Sequence, residues 1–342
     1  MSVSAPELVA AKAQPRPYDV VRSAYGELIV SDLAASERFY VDLLGFIVSA
    51  RTDDRIYLRG WEERAHHSIV LQAGPQSAAA RMAFRVRSED DLERLAAEFE
   101  ALGCPVSRVE SAHVGMGAAV RVWDPFGFPL EFFHEMEQFD TQLQRFDIQR
   151  GAPVMRFDHF NLHTPQLEQA LTFWQELGFR CTEYIATDDD ERIVFACMAR
   201  KATVHDVALS AGRGPRLHHL GFAVAEPLAI LRVCDQLAAA GHTRAIERGP
   251  GRHGATNAFF LYLRDPDGHR IELYTGDYYT GDPDLKPRRW SLSDPSCRSF
   301  WGTPAPDSWY QESSVVLSSD GSPSGVVDAT IDEQQIRSEL MV

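Results

Sequence analysis

Residues 259–274 read Phe-Phe-Leu-Tyr-Leu-Arg-Asp-Pro-Asp-Gly-His-Arg-Ile-Glu-Leu-Tyr, and this stretch decides the fold. Two alternating segments flank Asp-Pro-Asp-Gly, in which proline starts a tight turn and glycine tolerates positive φ, so the stretch predicts a β-hairpin. Alternation places Tyr262 and Glu272 opposite the apolar faces of their strands. A carboxylate and a phenol in an otherwise apolar hairpin indicate a polar site. We interpret Glu272 as a metal ligand with Tyr262 beside it.

The hairpin is the last part of a unit that recurs along the chain. Asp-Leu-Leu-Gly-Phe at 42–46 matches Gln-Glu-Leu-Gly-Phe at 175–179. Asp-Pro-Phe-Gly at 124–127 is followed by Glu131, just as the turn of the first hairpin is followed by Glu272. A repeat of this length defines an architecture before any motif does. The sequence therefore predicts an α+β fold of four repeated βαβββ modules, paired into two domains.

The spacing of the repeats and the changes in composition predict the domain boundaries. We expect a flexible leader at 1–18, an N-terminal scaffold domain of two modules at 19–137, a C-terminal metal domain of two modules at 154–276 and a tail at 277–342. The tail is rich in aromatic residues, which argues against plain disorder. We expect the tail to pack across the second domain as a lid, with residues 328–342 loosely held.

Composition and charge bound the class of protein. The chain has 342 residues, of which 44% are hydrophobic and 24% charged, as in a soluble globular protein. A formal net charge of −15 opposes binding to nucleic acid or to an anionic membrane. Five scattered cysteines without a Cys-x-x-Cys pair indicate neither a disulfide framework nor a zinc knuckle. Because no signal peptide or transmembrane run is evident, we expect a cytoplasmic protein whose partners are small molecules or further copies of itself.

The alternation of side chains between the two faces of a strand, here called strand parity, indicates two histidine ligands. On the predicted strand 157–163, His159 shares a face with Asn161. On the predicted strand 218–224, neighbouring histidines face opposite sides, and we choose His219 over His218 because its small neighbours on that face leave room for a ligand. With Glu272 this makes two histidines and one carboxylate, the facial set that leaves coordination positions open and suits non-haem Fe(II).

A single histidine on a strand is more often a satisfied core or surface residue than a ligand. The first half of the chain keeps Glu131 but has Gly26 at the position that matches His159, and Arg81 roughly at that of His219. The repeat by itself therefore does not demand histidine. We interpret one half as the metal-binding half and the other as a scaffold.

Several motifs together resemble a known family. Asp-His-Phe-Asn at 158–161, Arg-Leu-His-His at 216–219 and the hairpin resemble type I extradiol ring-cleaving dioxygenases of the vicinal oxygen chelate superfamily. Glu-Arg-Gly-Pro-Gly-Arg-His-Gly at 247–254 and Tyr-Tyr-Thr-Gly-Asp-Pro-Asp at 278–284 are similar to its homoprotocatechuate (3,4-dihydroxyphenylacetate) branch. The resemblance covers roughly residues 20–315. It implies a homotetramer that cleaves a catechol with dioxygen at Fe(II), with Mn(II) as the alternative metal, to a ring-opened semialdehyde.

The resemblance also implies a role for each site residue. It makes His159, His219 and Glu272 the metal ligands and His205 the acid–base residue beside the dioxygen site. It further implies that Tyr262 and His253 contact the catechol oxygens with Asn161 and Arg248 nearby, that Arg298 binds the substrate carboxylate, and that Trp309 closes the pocket. The chain departs from the family at Cys197, where relatives have tryptophan near the ring, and at Cys297, where they have a second arginine.

Other interpretations of these residues remain open. His205, whose unperturbed pKa is near neutrality, suits proton transfer, but it could instead donate to a loop carbonyl. Tyr262 could simply pack in the hairpin. At the level of function, the alternatives are a non-redox metal-dependent isomerase or epimerase and a metal-free binding protein, because fold alone does not determine function.

Overall fold

The computed structural model of the protein describes residues 5–10 and 16–329. The strands of the first half are β1 (Val20–Val30), β2 (Ile47–Arg51), β3 (Arg55–Arg59), β4 (Ile69–Ala73), β5 (Ala78–Val86), β6 (Val106–Val109), β7 (Ala119–Trp123) and β8 (Pro129–Phe133). Its helices are α1 (Ala5–Ala10), α2 (Leu33–Glu37), which continues as a π-helix over Arg38–Leu43, and α3 (Asp90–Ala101).

The second half repeats this series and adds the tail. Its strands are β9 (Val154–Thr164), β10 (Arg180–Ala186), β11 (Ile193–Ala199), β12 (Val207–Ala211), β13 (Arg216–Val224), β14 (Ile246–Arg252), β15 (Phe259–Arg264), β16 (Arg270–Thr275), β17 (Arg288–Ser291) and β18 (Ser314–Val315). The helices are α4 (Leu167–Glu176), α5 (Pro227–Ala239) and α6 (Asp307–Gln311), with 3₁₀ turns at Thr243–Ala245 and Pro295–Cys297.

Two sheets with the same strand order confirm the predicted repeat. The first sheet runs β2-β3-β4-β1-β5-β8-β7-β6. The second runs β14-β15-β16-β13-β9-β12-β11-β10-β17, which is the same order read from the other end, with one tail strand added at the edge. In each sheet the two central strands are antiparallel and each has a parallel neighbour on its outer side. The α+β fold of repeated modules predicted from the sequence is confirmed.

The hairpin at 259–274 forms as predicted. Tyr262 lies directly opposite Glu272 across β15 and β16. In the turn, the Asp265 carboxylate accepts hydrogen bonds from the backbone N–H groups of Asp267 (3.0 Å) and His269 (2.8 Å). Gly268 has φ +85°, a conformation that a β-carbon disfavours. Local turn chemistry therefore sets the register that brings the phenol beside the carboxylate.

The modules also pack against one another across the two halves. Phe46 of the first module meets Phe222 of the fourth with ring centroids 4.9 Å apart, and Phe84 of the second meets Trp174 of the third at 5.3 Å. These side chains belong to one continuous buried core that both sheets share. The sheets are therefore held in a fixed relation by apolar packing, which is the dominant favourable term in folding.

The register of the first sheet corrects one expected equivalence. Gly221 lies opposite His159 and beside Glu272, whereas Ala83 lies opposite Tyr25 and beside Glu131. Tyr25, and not Gly26, therefore occupies the position of His159. The pairing of β1 with β5 contains register shifts next to Tyr25 and Leu28, so counting along the sequence misplaces the residue by one.

The two chain ends differ in how they match expectation. Residues 5–10 of the expected flexible leader form α1, in which Val9 is buried and the Leu8 carbonyl accepts from the Gln175 amide at 2.9 Å. The tail adds β17 beside β10 and β18 beside β13, as expected of a segment packed across the second sheet. Residues 330–342, most of the end that we expect to be loosely held, lie outside the described residues. Within the described part of the chain, no helix has the length and apolar character needed to cross a bilayer.

Candidate metal centre and substrate cavity

A cavity of about 100 Å³ lies between the second sheet and the tail. Its wall includes all of the predicted site residues but one: His159, Asn161, His205, His219, Arg248, His253, Tyr262, Glu272, Arg298 and Trp309. Five strands and two tail segments supply most of them, over about 150 residues of chain. The exception is Cys197, which is fully buried on β11 and does not line the cavity, although Val194 and Phe195 of the same strand do.

Three donor atoms converge at one end of the cavity. His159 on β9, His219 on β13 and Glu272 on β16 each offer one donor, and all three side chains are buried. The Oε2 atom of Glu272 lies 3.0 Å from Nε2 of His159 and 3.1 Å from Nε2 of His219. The two Nε2 atoms are 3.2 Å apart. The structure thus brings together the three residues that strand parity selected.

These separations fit a divalent metal. Nitrogen and oxygen donors bind such ions at roughly 2.1 Å, so donors at right angles around one ion lie about 3.0 Å apart. Three donors at this spacing occupy one face of an octahedron and leave the opposite face free for other ligands. Two neutral imidazoles and a carboxylate are the donor set that non-haem Fe(II) and Mn(II) accept.

The charges at the centre are strongly coupled. Burial would raise the pKa of Glu272, but His159 and His219 beside it hold that pKa well below its usual range. Burial would lower the pKa of His159, but hydrogen bonds with Asp158 and Glu272 raise it to about 9. Burial lowers the pKa of His219 to about 4, against the attraction of Glu272. In the metal-free form, His159 therefore carries the proton that a metal must displace.

A buried ion-pair network orients His159 from behind. Its Nδ1 atom lies 3.0 Å from Oδ2 of Asp158, and Lys201 donates to the other oxygen of Asp158 at 3.1 Å. Lys201 Nζ also lies 3.4 Å from Oδ1 of Asp206, which accepts the backbone N–H of Ser23 at 2.8 Å. Carboxylates in this position fix the tautomer and orientation of a ligating histidine. Sequence reasoning missed Lys201, although Asp158 stands in the quoted Asp-His-Phe-Asn motif.

His218 plays the corresponding part for His219. The Nδ1 atoms of the two rings are 2.7 Å apart, and Nε2 of His218 donates to the Trp309 carbonyl at 3.0 Å. That donation leaves Nδ1 of His218 as an acceptor, so His219 donates from Nδ1 and keeps the Nε2 lone pair free. Parity had placed His218 on the far face. The register shift between Leu217 and His219 instead lets both neighbours reach the cavity side.

His205 lies against His159, with ring centroids 3.9 Å apart. Within the described residues it makes no hydrogen bond to a loop carbonyl, and its buried Nδ1 atom has no partner. Burial, with the His159 charge, lowers its pKa well below the usual value. The expected near-neutral pKa is therefore corrected, because the burial of this ring disfavours its charged form.

A second group of polar residues faces the donors from the hairpin side. The Tyr262 hydroxyl lies 2.9 Å from Nε2 of His253, and the Arg298 carbonyl lies 2.5 Å from Nδ1 of the same ring. Burial, with the charge of Arg248, lowers the pKa of His253 to about 3. Burial and Glu272 raise the pKa of Tyr262 well above its usual value. Both groups are therefore neutral, and the Tyr262 oxygen can still accept a hydrogen bond from a ligand in the cavity.

The tail is anchored over the cavity by a buried carboxylate that sequence reasoning missed. Glu247 accepts from Arg270 Nε at 2.6 Å, from Arg264 at 2.8 Å and from the Ser308 hydroxyl at 2.7 Å. Arg270 also donates to the Ser308 carbonyl at 3.0 Å. Burial opposes the charge, but Arg270 holds the pKa of Glu247 at about 2. This network seats α6 and places Trp309 at the cavity wall.

The region around Cys197 is built differently from the one expected. Glu183, directly opposite Cys197 on β10, is fully buried and accepts hydrogen bonds from the Tyr278 hydroxyl and the Trp290 indole. Both aromatic residues come from the tail. Nothing in the alternation of β10 marks Glu183 as important, because its partners lie about 100 residues further along the chain.

Comparison with known proteins supports one family throughout. The Glyoxalase/Bleomycin resistance protein/Dioxygenase superfamily matches residues 22–132 and 156–273, one stretch in each half. The chain is 31% identical over 288 residues to the manganese-dependent 2,3-dihydroxybiphenyl 1,2-dioxygenase of Geobacillus genomosp. 3, covering 80% of this chain and 90% of that protein. It is 32% identical over 311 residues to a metapyrocatechase of Geobacillus stearothermophilus, covering 86% and 93%.

Solved structures agree with this result. An extradiol ring-cleaving dioxygenase from B. fuscum is 46% identical, with a TM-score of 0.90 over 94% of this chain and 90% of that chain. The substrate complex of homoprotocatechuate 2,3-dioxygenase from Brevibacterium fuscum with 3,4-dihydroxyphenylacetate is also 46% identical, with a TM-score of 0.89 over 93% of this chain and 100% of that chain. The chain therefore belongs to the Glyoxalase/Bleomycin resistance protein/Dioxygenase superfamily, and within it to the extradiol ring-cleaving dioxygenases, which cleave catechols in the meta position.

Proposed function

We propose that the substrate of this dioxygenase is 3,4-dihydroxyphenylacetate and that its metal is Fe(II), with Mn(II) as the alternative. The observation that carries the proposal is that Arg298 and Arg248 line the same cavity as the His159, His219 and Glu272 donors. A catechol that carries a carboxylate needs both features, namely a metal for its two oxygens and a cation for its acid group. The reaction adds both atoms of dioxygen and opens the ring to a semialdehyde.

In this proposal His159, His219 and Glu272 hold the metal. A metal held by these three residues would position catechol and dioxygen next to each other and would let electron density pass between them. Asp158 and His218 keep the two imidazoles in the ligating orientation through the hydrogen bonds described above. The apolar and aromatic wall, with Trp309 at its edge, excludes water from the reacting groups.

His205 is the proposed acid–base residue. Its lowered pKa keeps the ring neutral at physiological pH, so it is ready to accept a proton from a catechol hydroxyl. The absence of a competing partner at its Nδ1 atom within the described residues supports a role toward a ligand. It would return the proton as the ring opens.

Tyr262 and His253 are proposed to contact the catechol oxygens, and Asn161 to line the ring. Because Nδ1 of neutral His253 donates to the Arg298 carbonyl, its Nε2 accepts from the Tyr262 hydroxyl, and the Tyr262 oxygen is left to accept a hydrogen bond from a catechol hydroxyl. Asn161 is held in turn by the Ser210 hydroxyl, which donates to its Oδ1 at 3.0 Å. Arg248 lies 4.5 Å from the Trp309 ring, a cation–π contact that places it near the closing tail.

Arg298 is the proposed partner of the substrate carboxylate. Its planar guanidinium suits a carboxylate because it offers two parallel charge-assisted hydrogen bonds. The neighbouring Cys297 also lines the cavity and supplies no charge, so the arginine carries more of the recognition by itself. Cys197 is not needed for this proposal, because it lies behind the wall.

The remaining assignments concern organisation. We propose that residues 19–137 act as a scaffold domain, that 154–276 form the metal domain, and that the tail from residue 277 serves as a lid. The Glu247 network that seats α6 supports the lid assignment. We further propose a cytoplasmic homotetramer, supported by the absence of disulfides among the described cysteines and by the family resemblance.

The substrate proposal is tested by reconstitution. Metal-free protein is loaded separately with Fe(II) and Mn(II), and each form is assayed with 3,4-dihydroxyphenylacetate, 4-methylcatechol and catechol under air. We expect a yellow ring-opened product whose mass exceeds that of the substrate by one dioxygen, with the highest kcat/KM for 3,4-dihydroxyphenylacetate. Equal kcat/KM values for the acidic and the methyl-substituted catechol would contradict the substrate proposal and leave the family activity intact.

A further inference from the structure

A second cavity, of about 1010 Å³, lies between the first sheet and the start of β9. It shares no lining residue with the catalytic cavity. Strands β1 and β5 form one side of its wall. Arg156, Phe157 and Lys201 form the other side. Nothing in the proposed reaction uses this space, so its charged lining calls for another explanation.

Two arginines form the floor of this cavity. Arg22 on β1 and Arg85 on β5 lie directly opposite each other in the antiparallel pairing. Like charges in this arrangement are destabilising, because facing side chains on one sheet surface come within contact distance. Burial lowers the pKa of Arg22 and the charge of Arg85 lowers it further, whereas Glu63 and Asp206 raise it. The fold therefore maintains a cationic pair at a position where strand pairing disfavours it.

Neither arginine is in direct contact with a carboxylate of the described residues, although Glu63 and Asp206 attract Arg22 from beyond ion-pair distance. Arg22 donates from Nη1 to the Ser23 carbonyl at 2.9 Å, and Arg85 donates from Nε to the His134 carbonyl at 3.3 Å. Among residues 5–10 and 16–329, no carboxylate forms an ion pair with either side chain. Carbonyl contacts use two of the ten N–H groups that the two guanidiniums carry. The other donors remain available toward the cavity.

The carboxylates in the same wall are engaged elsewhere or stand apart. Glu62 pairs with Arg156 at 2.9 Å, and Glu63 accepts the backbone N–H groups of Gly60 (2.6 Å) and Phe157 (3.0 Å). Glu135 and Glu137 also line the cavity, but neither forms an ion pair with Arg22 or Arg85. Lys201 is held by Asp158 and Asp206 as described above. No carboxylate of this wall therefore contacts Arg22 or Arg85 directly, although Glu63 offsets part of the charge of Arg22.

We propose that Arg22 and Arg85 together bind a small oxyanion, a carboxylate or a phosphate group, in this cavity. Two guanidinium forks side by side match the several acceptor oxygens of such a group, and charge-assisted hydrogen bonds of this kind are the strong ones. The bound anion converts a repulsive cross-strand pair into a bridged one. The structural counterparts in the second sheet, Arg156 and Ala223, form no such pair, because only one of them is charged.

Binding of anions to the intact metal-loaded protein tests the proposal. Titration calorimetry measures the affinity for inorganic phosphate and for malonate, and thermal unfolding is followed in the same anions and in chloride at matched ionic strength. The variants are Arg22→Gln and Arg85→Gln. The matched control is Arg87→Gln, which removes an exposed arginine that pairs with Asp19 just beyond the end of β5.

We expect saturable binding to wild type and to the Arg87 variant, and binding weaker by about tenfold or more in Arg22→Gln and Arg85→Gln. In chloride these two variants should unfold at the same temperature as wild type or higher, since the repulsion is removed. A preference for phosphate or for malonate identifies the class of anion. Arg85→Lys, which keeps the charge, should retain part of the binding if a Gln variant fails to fold.

Three results would overturn the proposal. Equal anion responses in all variants would mean that only ionic strength acts. A lower unfolding temperature of both Gln variants in chloride would mean that this chain itself neutralises the pair. A change in oligomeric state of either variant on size-exclusion chromatography would mean that a second copy supplies the counter-charge.

Discussion

The two halves of the molecule share one strand order but compensate the charge of a buried carboxylate in different ways. Each half buries a carboxylate at the matching position, Glu131 on β8 and Glu272 on β16. In the second half two histidines face the carboxylate at metal-binding distance. In the first half the Glu131 carboxylate accepts instead from the Tyr25 hydroxyl and, at 2.6 Å, from Arg121 Nε.

Both histidine ligands and the phenol beside them are replaced in the first half. Tyr25 stands for His159, Arg81 for His219 and Arg121 for Tyr262, by the registers of the two sheets. His67, two residues before β4, likewise corresponds to His205, two residues before β12. A buried carboxylate needs a compensating charge, and the same backbone lets either a metal or a guanidinium provide it. In the half that uses guanidinium, Arg121 occupies the side of the carboxylate that a metal would need, which is consistent with the proposed scaffold role of that half.

The largest expected difference between the halves concerns the two glutamates. Glu272→Gln should weaken metal binding by more than about 100-fold and abolish turnover, since loss of a ligand exceeds the 10–100-fold effect of an outer partner. Glu131→Gln should keep one metal per chain but lower the free energy of unfolding by about 1–3 kcal/mol, because it leaves Arg121 without its charged partner. Metal analysis and chemical denaturation of both variants measure this. Metal loss from the Glu131 variant would break the comparison.

The second difference concerns the matched histidines. His205→Phe should leave the metal content unchanged and lower kcat by about 10²-fold or more, because it removes the proposed proton carrier. His67→Phe, measured below its unfolding temperature, should leave kcat unchanged, since His67 does not line the catalytic cavity. Steady-state kinetics with metal analysis checks both variants. An unchanged kcat in His205→Phe would return that residue to a structural role.

Substrate recognition should depend on the second half alone. Arg298→Ala should lower kcat/KM for 3,4-dihydroxyphenylacetate by about 1.5–3 kcal/mol, the range for a hydrogen bond to a charged group, and hardly affect 4-methylcatechol. The two substrates are assayed side by side with the same enzyme preparation. If kcat/KM falls equally for both substrates, Arg298 stabilises the fold of the tail and does not bind the substrate carboxylate.

The smallest effect is the pH dependence of metal binding. The pKa of His159 is raised to about 9 in the metal-free form, so the ring is protonated at neutral pH and must lose that proton to ligate. Metal affinity should therefore rise about tenfold per pH unit as pH increases toward 9, with about one proton released at pH 7. Calorimetry in buffers of different ionisation enthalpy counts the proton. Glu131→Gln should show the same slope, and a pH-independent affinity would contradict the assignment of the proton to His159.

The local patterns of the sequence were sufficient to predict the hairpin, the metal ligands and the repeat. The Asp-Pro-Asp-Gly turn and the alternation around it predicted which hairpin faces carry Tyr262 and Glu272, and strand parity selected His159 and His219. The internal repeat predicted the shared strand order of the two sheets. Resemblance, more than pattern, supplied His205, His253 and Arg298, because each lies in a segment without regular alternation.

What the sequence by itself determined, then, is the set of elements, their repeat and the donors that alternate on them, since turn chemistry and strand parity act between near neighbours in the chain. Only the tertiary structure decided that Tyr25 replaces His159 in the first half, that a register shift turns His218 toward the Trp309 carbonyl, and that Cys197 lies behind the cavity wall. It also decided that Lys201 supports Asp158 and that Arg22 faces Arg85. These features depend on register and on partners far away in sequence, which are settled only when whole strands pair and modules pack.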